Sequence, residues 1–465
     1  MIFSLMGLAF SSADAQQSDS LSAYLKEAAA NNPGLKAKFS QYLAAVEKVP
    51  QAGSLPDPEL QFGIFIKPME ILDGKQVADF RLMQMLPWFG SLKTAKDEAS
   101  NMALAKYEEM QSVKNELFLQ VKMSWYEIFL IKTKINLTQK SHDILQSLER
   151  LALIKIRAGD VSASGTGATS PVMQSAPKSD NKSMGDNNKM GRNDAGSSDN
   201  SSGMPLNTSP GMSNSNAGGM VNLLRVKIEL GSLENRQALL GDQLITAIAR
   251  FNSYLNRKPD EQVSVVDSLS EIAFPGSLVS LTDSLSNNPM IRMLEADRSA
   301  NEARIAMANK MGYPMLGLGI NYSLIGKRQD ANSMMNGRDM IMPMVTATLP
   351  VYRKKYTALR REAEFLRDAA GESVENARNE LTVSYQETLQ SYNDAVRREN
   401  LFRNQAFLAE KSISLLTTSF SSSGTDFGEI LRMQQQLLDY QFNQIEALVD
   451  QHKAVDTLFS IISFN

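Results

Sequence analysis

The side chains whose type and grouping suggest chemistry are thioethers. The chain carries 25 methionines, no cysteine and only two histidines, His142 and His452. Six of the methionines lie in or beside one Ser/Gly/Asn-rich stretch: Met173, Met184, Met190, Met204, Met212 and Met220. Five more, Met334, Met335, Met340, Met342 and Met344, crowd a second short stretch. A thioether is a soft, neutral donor that selects Cu(I), and Ag(I) by the same argument. Methionine also fills irregular packing. That accounts for methionines within helices better than for methionines among Ser, Gly and Asn. The expectation is soft-metal capture by both groups, with a peptide covering 162–219 binding Cu(I).

Other chemistry is poorly supplied. Without cysteine there is no disulfide, thiolate metal site or sulfur nucleophile. Two histidines leave little for hydrolytic, zinc or haem chemistry, and both read as ordinary residues of polar helical stretches. No nucleophile–base pair, phosphate loop or metal-ligand spacing appears, so neither an enzyme nor a resident cofactor is expected. Basic and acidic residues nearly balance, 48 against 51. No basic stripe with interleaved aromatics marks a nucleic-acid partner.

The elements that must hold these groups come in two copies. Asn31-Asn32-Pro33 recurs as Asn287-Asn288-Pro289, each leading into a helical pattern. Two short alternating segments follow each copy, Asp57–Lys67 with Gln76–Trp88, and Tyr313–Ile325 with Asp339–Tyr352. The second of each pair ends in Leu-Pro, at 86–87 and 349–350. A long helical pattern comes next, breaking at Ala158-Gly159-Asp160 and at Ser423-Gly424-Thr425. Beyond these breaks the two copies align again only if Ser162–Gly219 is an insertion in the first. Composition marks the same stretch, which has too few aliphatic residues to build a core and reads as disordered.

Val374, Ala377, Leu381, Tyr385, Thr388, Tyr392 and Ala395 step by threes and fours, as a coiled-coil stripe does. A helix of roughly 65 residues spans on the order of 100 Å, longer than a globular core needs. Each long helix returns through a shorter partner, giving two antiparallel helical hairpins. The strand segments have the length of tilted membrane strands, about 9–11 residues. Leu316-Gly-Leu-Gly-Ile-Asn-Tyr-Ser-Leu alternates apolar with small or polar residues, as pore walls do. Four strands cannot close a barrel, and open edges cannot sit in lipid. The strands must then pair with copies of themselves, and three copies would give twelve strands. A soluble two-hairpin sheet stays open as the alternative.

The N-terminus is apolar from Met1 to Phe10, and Ala13-Asp14-Ala15 has the small-x-small form of a cleavage site. The expectation is a signal peptide over 1–15 whose basic start lies upstream. The remaining boundaries are 16–56 for N-terminal helices, 57–88 for a β-hairpin and 89–161 for a long helix. The insert takes 162–219, a return helix 220–257, and a linker with further helices 258–312. The second β-hairpin takes 313–352, the second long helix 353–422 and its return 423–465.

In this order of parts the chain resembles the outer membrane efflux protein family, the TolC-like channels. The resemblance rests on the duplicated plan and the Asn-Asn-Pro starts. It also rests on Leu-Pro-Trp-Phe-Gly-Ser at 86–91, and on Ser-Gly-Thr-Asp-Phe-Gly-Glu-Ile-Leu at 423–431 before a Gln-rich helix. It implies a mainly α protein with membrane β-strands, and a homotrimer forming a twelve-stranded barrel in outer-membrane lipid. A helical periplasmic tunnel would dock by its hairpin tips onto a periplasmic adaptor and a proton-driven inner-membrane pump. The heavy-metal efflux subtype would fit the methionines. Departures are the insert at a hairpin tip and the missing lipid-anchor cysteine. In a trimer, Asp426, Glu429 and their counterpart Asp160 would form acidic rings where the tube narrows. They equally suit helix capping and the helix dipole. A type I protein-secretion duct and a non-channel coiled-coil adaptor remain as other readings.

Overall fold

The computed structural model describes residues 12–71, 73–163, 214–272, 285–330, 334, 336–423 and 427–462. Two short helices open the chain, α1 (Ser12–Asn31) and α2 (Pro33–Ala52). A β-hairpin follows, β1 (Glu59–Ile71) and β2 (Gly74–Leu86), then a long helix α3 (Ser91–Ala163). Helix α4 (Asn214–Leu255) returns, and α5 (Pro289–Met311) begins the second round. Strands β3 (Met315–Gly326) and β4 (Met340–Thr348) come next, then α6 (Arg353–Ser423) and α7 (Phe427–Ile462).

The Asn-Pro pairs start helices for a local reason. Proline at the first helical position gives up no hydrogen bond, and asparagine before it can cap. The Asn32 side chain accepts from the Leu35 amide at 3.1 Å, and its own amide donates to the Tyr254 carbonyl at 2.9 Å. The Asn288 side chain accepts from the Met290 amide and donates to the Ile461 carbonyl, both at 2.9 Å. Each asparagine therefore ties a helix start to the last turn of a return helix, α4 or α7.

Two boundaries differ from the sequence reading. Helix α3 runs through Ala158-Gly159-Asp160 to Ala163 instead of breaking there. An internal glycine costs a helix only about 1 kcal/mol, too little to end one. Helix α4 begins at Asn214, inside the stretch read as insert. The rest of that stretch, 164–213, lies outside the described residues, as do residues 1–11 of the segment read as a signal peptide.

The described residues pack as two compact units. One takes those up to Leu137, Leu239–Leu408 and those from Asp439 onward. Its larger core sets Val121, Trp125, Ile128 and Phe129 of α3 against Leu240, Ala247, Phe251 and Leu255 of α4. The steps of three and four place each set on one helix face. Ala28 and Leu35 close it from α1 and α2. A second core joins Ile291 of α5, Val374, Ala377 and Tyr385 of α6, and Leu458 and Ile461 of α7. Fully burying one such large side chain is worth about 1.5–3 kcal/mol. Polar ties cross the same unit: Tyr126 and Lys122 of α3 reach the Asp456 carboxylate of α7 at 2.8 and 2.7 Å.

The other unit takes Thr138–Ala238 and Ala409–Leu438. Leu145, Val226, Leu233, Phe427 and Ile430 are buried in it. Phe427, at the start of α7, packs on Phe420 near the end of α6, with ring centroids 5.1 Å apart.

The strands form one antiparallel sheet in the order β1-β2-β3-β4. Phe62 faces Phe80, Leu82 faces Ile320, and Leu318 faces Val345. Gly74 closes the first hairpin at φ +138°, where a Cβ would strike the Gly326 carbonyl. The chain is thus mainly helical with a small antiparallel sheet, as expected.

Candidate functional site

The sheet presents two unlike faces, and both follow from the period-two alternation of strand side chains. One face carries Leu60, Phe62 and Ile64 of β1, with Phe80 and Leu82 of β2. Leu318 and Ile320 of β3 and Ile341 and Val345 of β4 continue it. All of these are exposed, Val345 by 76% and Leu60 by 70%. Rings link three strands across this face, Phe62 to Phe80 at 4.6 Å and Phe80 to Tyr322 at 6.3 Å. An exposed apolar surface this continuous marks contact with something other than water.

The opposite face carries Glu59, Gln61, Asp79, Arg81, Asn321, Ser323, Thr346 and Thr348. Glycines 317 and 319 of β3 lie among them. At the helix end of the sheet sit aromatic rings. Trp88 stacks on Tyr313 at 5.0 Å and 12°, and Phe89 and Tyr352 are largely exposed beside the helix starts. Such rings suit the boundary between hydrocarbon and water.

Both edge strands are unpaired along their outer sides, β1 on one and β4 on the other. Their outward backbone groups need partners that the described residues do not supply. Helix α6 likewise exposes Leu401, Leu408 and Leu415, spaced by sevens as in a coiled-coil seam.

The methionines singled out from sequence separate here. Met173, Met184, Met190, Met204, Met212 and Met335 lie outside the described residues. Met220 is exposed on α4, and Met334 is 90% exposed between β3 and β4. Met340, Met342 and Met344 lie within β4, all on the polar face. Two methionines that sequence reasoning passed over, Met83 and Met85, join that face from β2. Their odd-numbered positions in an alternating segment were the available signal.

Of the acidic residues, Asp426 lies outside the described residues, and Asp160 falls on α3 with its side chain outside them. Glu429 stands in the first turn of α7 and pairs with Arg432 one turn on. A carboxylate there meets the helix dipole favourably and is already partnered. Of the three, only the Glu429 side chain falls among the described residues.

Among the described residues, no group of three or more His, Asp or Glu side chains could hold a metal ion. No helix of the described residues is long and apolar enough to cross a membrane.

No protein-family model and no curated relative matches the sequence. Solved structures do match its fold. The outer-membrane channel OprN superposes with a TM-score of 0.70 at 14% identity, covering 98% of this chain and 93% of that one. CusC, described in terms of transmembrane channel formation, gives 0.72 at 13%, covering 96% and 92%. The outer membrane protein VceC from Vibrio cholerae gives 0.69 at 12%, covering 96% and 97%. At these identities the likeness establishes a shared fold over nearly the whole length of both chains.

Proposed function

We propose, for a chain with the fold of the TolC-like outer-membrane channels, that it is the exit duct of a three-part efflux pump. The observation that carries this reading is the sheet: four strands, both edges open, one exposed apolar face. Each unpaired backbone group in hydrocarbon costs several kcal/mol, so such a sheet enters a membrane only as part of a closed barrel. Three copies edge to edge give twelve strands, an even number within the outer-membrane range. The apolar face then meets lipid and the polar face lines the lumen. The aromatic rings at the helix end take the inner membrane–water boundary.

The rest of the chain supports the same assembly. The exposed leucine seam of α6 calls for a helix from a neighbouring protomer. The paired bonds of Asn32 and Asn288 are consistent with a duplicated chain, whose two hairpins per copy would line a periplasmic tunnel. Its partners are a periplasmic adaptor at the hairpin tips and a proton-driven inner-membrane pump. The cargo is small molecules or metal ions, and the methionines favour soft cations such as Cu(I) and Ag(I). Localisation is the outer membrane, with a large periplasmic portion. An adaptor without a barrel would leave the apolar face of the sheet without a role.

The test is planar-bilayer conductance of the detergent-extracted protein, with its mass measured in parallel. Discrete pores from a species of three protomers support the duct. A monomer without conductance overturns it.

A further inference from the structure

The sheet sorts its apolar residues by chemical type. Over the unbroken register of Glu59–Ile64 and Ala78–Leu86 with their β3 and β4 partners, one face holds Leu, Ile, Phe, Val, Ala, Tyr, Pro and Gln and no methionine, Met69 lying beyond the register shift in β1. On the other, six methionines stand among Glu, Gln, Asp, Arg, Asn, Ser and Thr: Met83, Met85, Met315, Met340, Met342 and Met344. Burial alone gives no reason for this. Leucine matches methionine in size and apolarity and already covers the opposite face.

The geometry adds a second observation. In one cross-strand row Met83 of β2 faces Gly319 of β3, which faces Met344 of β4. In the next, Met85 faces Gly317, which faces Thr346. The two glycines leave a floor without side chains, and the β2 thioethers lie over it. The sulfurs of Met85 and Met83 sit 2.7 and 3.2 Å from where a Gly317 Cβ would be, so they are at most 5.9 Å apart. The Met83 sulfur also lies 3.1 Å from a Gly319 Cβ position. It lies over β3, where the Thr346 hydroxyl of β4 donates to it at 3.7 Å. Met344 stands on the same face as the next β4 residue toward Met83's own row. Two thioethers from β2 thus lie over a glycine floor, and Met344 of β4 stands on the same face in the row of Met83 and Gly319. Glu59, the partner of Met83 on β1, supplies a nearby negative charge.

We propose that Met83, Met85 and Met344 form a binding site for a soft monovalent cation, Cu(I) or Ag(I). Its position on the inner wall of the barrel rests on the duct reading above; the cluster of sulfurs does not. Neutral thioethers suit a transit site, where an ion must bind well enough to enter and weakly enough to leave. None of the three donors titrates, so binding is independent of pH where histidine or carboxylate sites would lose their metal.

The experiment uses the full chain in detergent and Ag(I) as the probe, with bound silver counted by equilibrium dialysis at pH 5 and pH 7.5. The Met83→Leu/Met85→Leu/Met344→Leu variant keeps side-chain volume. It is expected to bind one silver ion fewer per protomer at both pH values, while still giving potassium-conducting pores. Gly317→Val is a second variant that removes no sulfur but displaces Met83 and Met85, and it should lose the same ion. Equal silver counts in the unaltered chain and both variants overturn the site while leaving the duct intact. Absence of potassium pores in the unaltered chain overturns the duct and the lumenal placement, and the silver count still judges the sulfur cluster.

Discussion

The side chain of Asn288 accepts from Met290 and donates to the carbonyl of Ile461, and it is almost wholly buried while doing so. Removing it takes a cap from α5 and leaves a buried carbonyl without its donor. Asn288→Ala should cost about 2–3 kcal/mol of stability, read as a lowered thermal midpoint. Asn288→Asp keeps the cap but sets a carboxylate oxygen against the Ile461 carbonyl, and should cost at least as much. His452 is a second residue with a legible effect. Burial holds its imidazole below the ordinary histidine range, against the Ser270 carbonyl and the Asp456 carboxylate, which pull it up. The unfolded chain therefore binds the proton first, near pH 6.5. The contribution to stability is complete above that pH and is lost as pH falls below it. The thermal midpoint should drop between pH 7 and pH 5, and His452→Asn should flatten that part of the curve. An unchanged slope would place the acid sensitivity elsewhere.

Strand β1 lets the two faces of the sheet be compared at closely spaced positions. Ile64 belongs to the apolar face and Gln61 to the polar one, and both are exposed. Near the middle of a lipid-facing strand, arginine costs about 2–4 kcal/mol, whereas on a lumenal face it is tolerated. Ile64→Arg should therefore deplete the protein from the outer-membrane fraction, and Gln61→Arg should not. Equal depletion would argue against lipid on either face. The helices had been readable from periodicity alone, because their stripes are local. The alternation in β3 was equally plain, since Gly, Asn and Ser separate its apolar residues. In β4, Ile341 and Val345 on one face and Met342 and Met344 on the other are all apolar, so its pattern carried less.

For the molecule as a whole, the proposed assembly turns on the outer edges of β1 and β4, which pair with no other described strand. The native chain has no cysteine, so introduced thiols report without background. One cysteine on β1 and one on β4, tried over a short range of registers, should cross-link protomers into two- and three-chain species and nothing larger. An open ladder of higher species would indicate that the sheet does not close at three, and monomers alone would remove the barrel.

Some of this protein was determined within single segments. The long coiled-coil stripes, the asparagine–proline helix starts and the strand lengths each depend on residues a few positions apart, and sequence displays such periods directly. The duplicated plan was read from punctuation that recurs in both halves, such as the two Asn-Asn-Pro helix starts. What needed tertiary structure was everything set by strand pairing. Met83 and Met344 are separated by most of the chain, and only the antiparallel register through Gly319 puts them in one row. The same register put Met83, Met85, Met340, Met342 and Met344 on one face, where sequence had grouped Met334 and Met340 by proximity alone. It also left the outer sides of β1 and β4 without partners among the described residues. Hydrogen bonds and side-chain faces across a sheet follow from which strands lie side by side, and that order is a property of the fold.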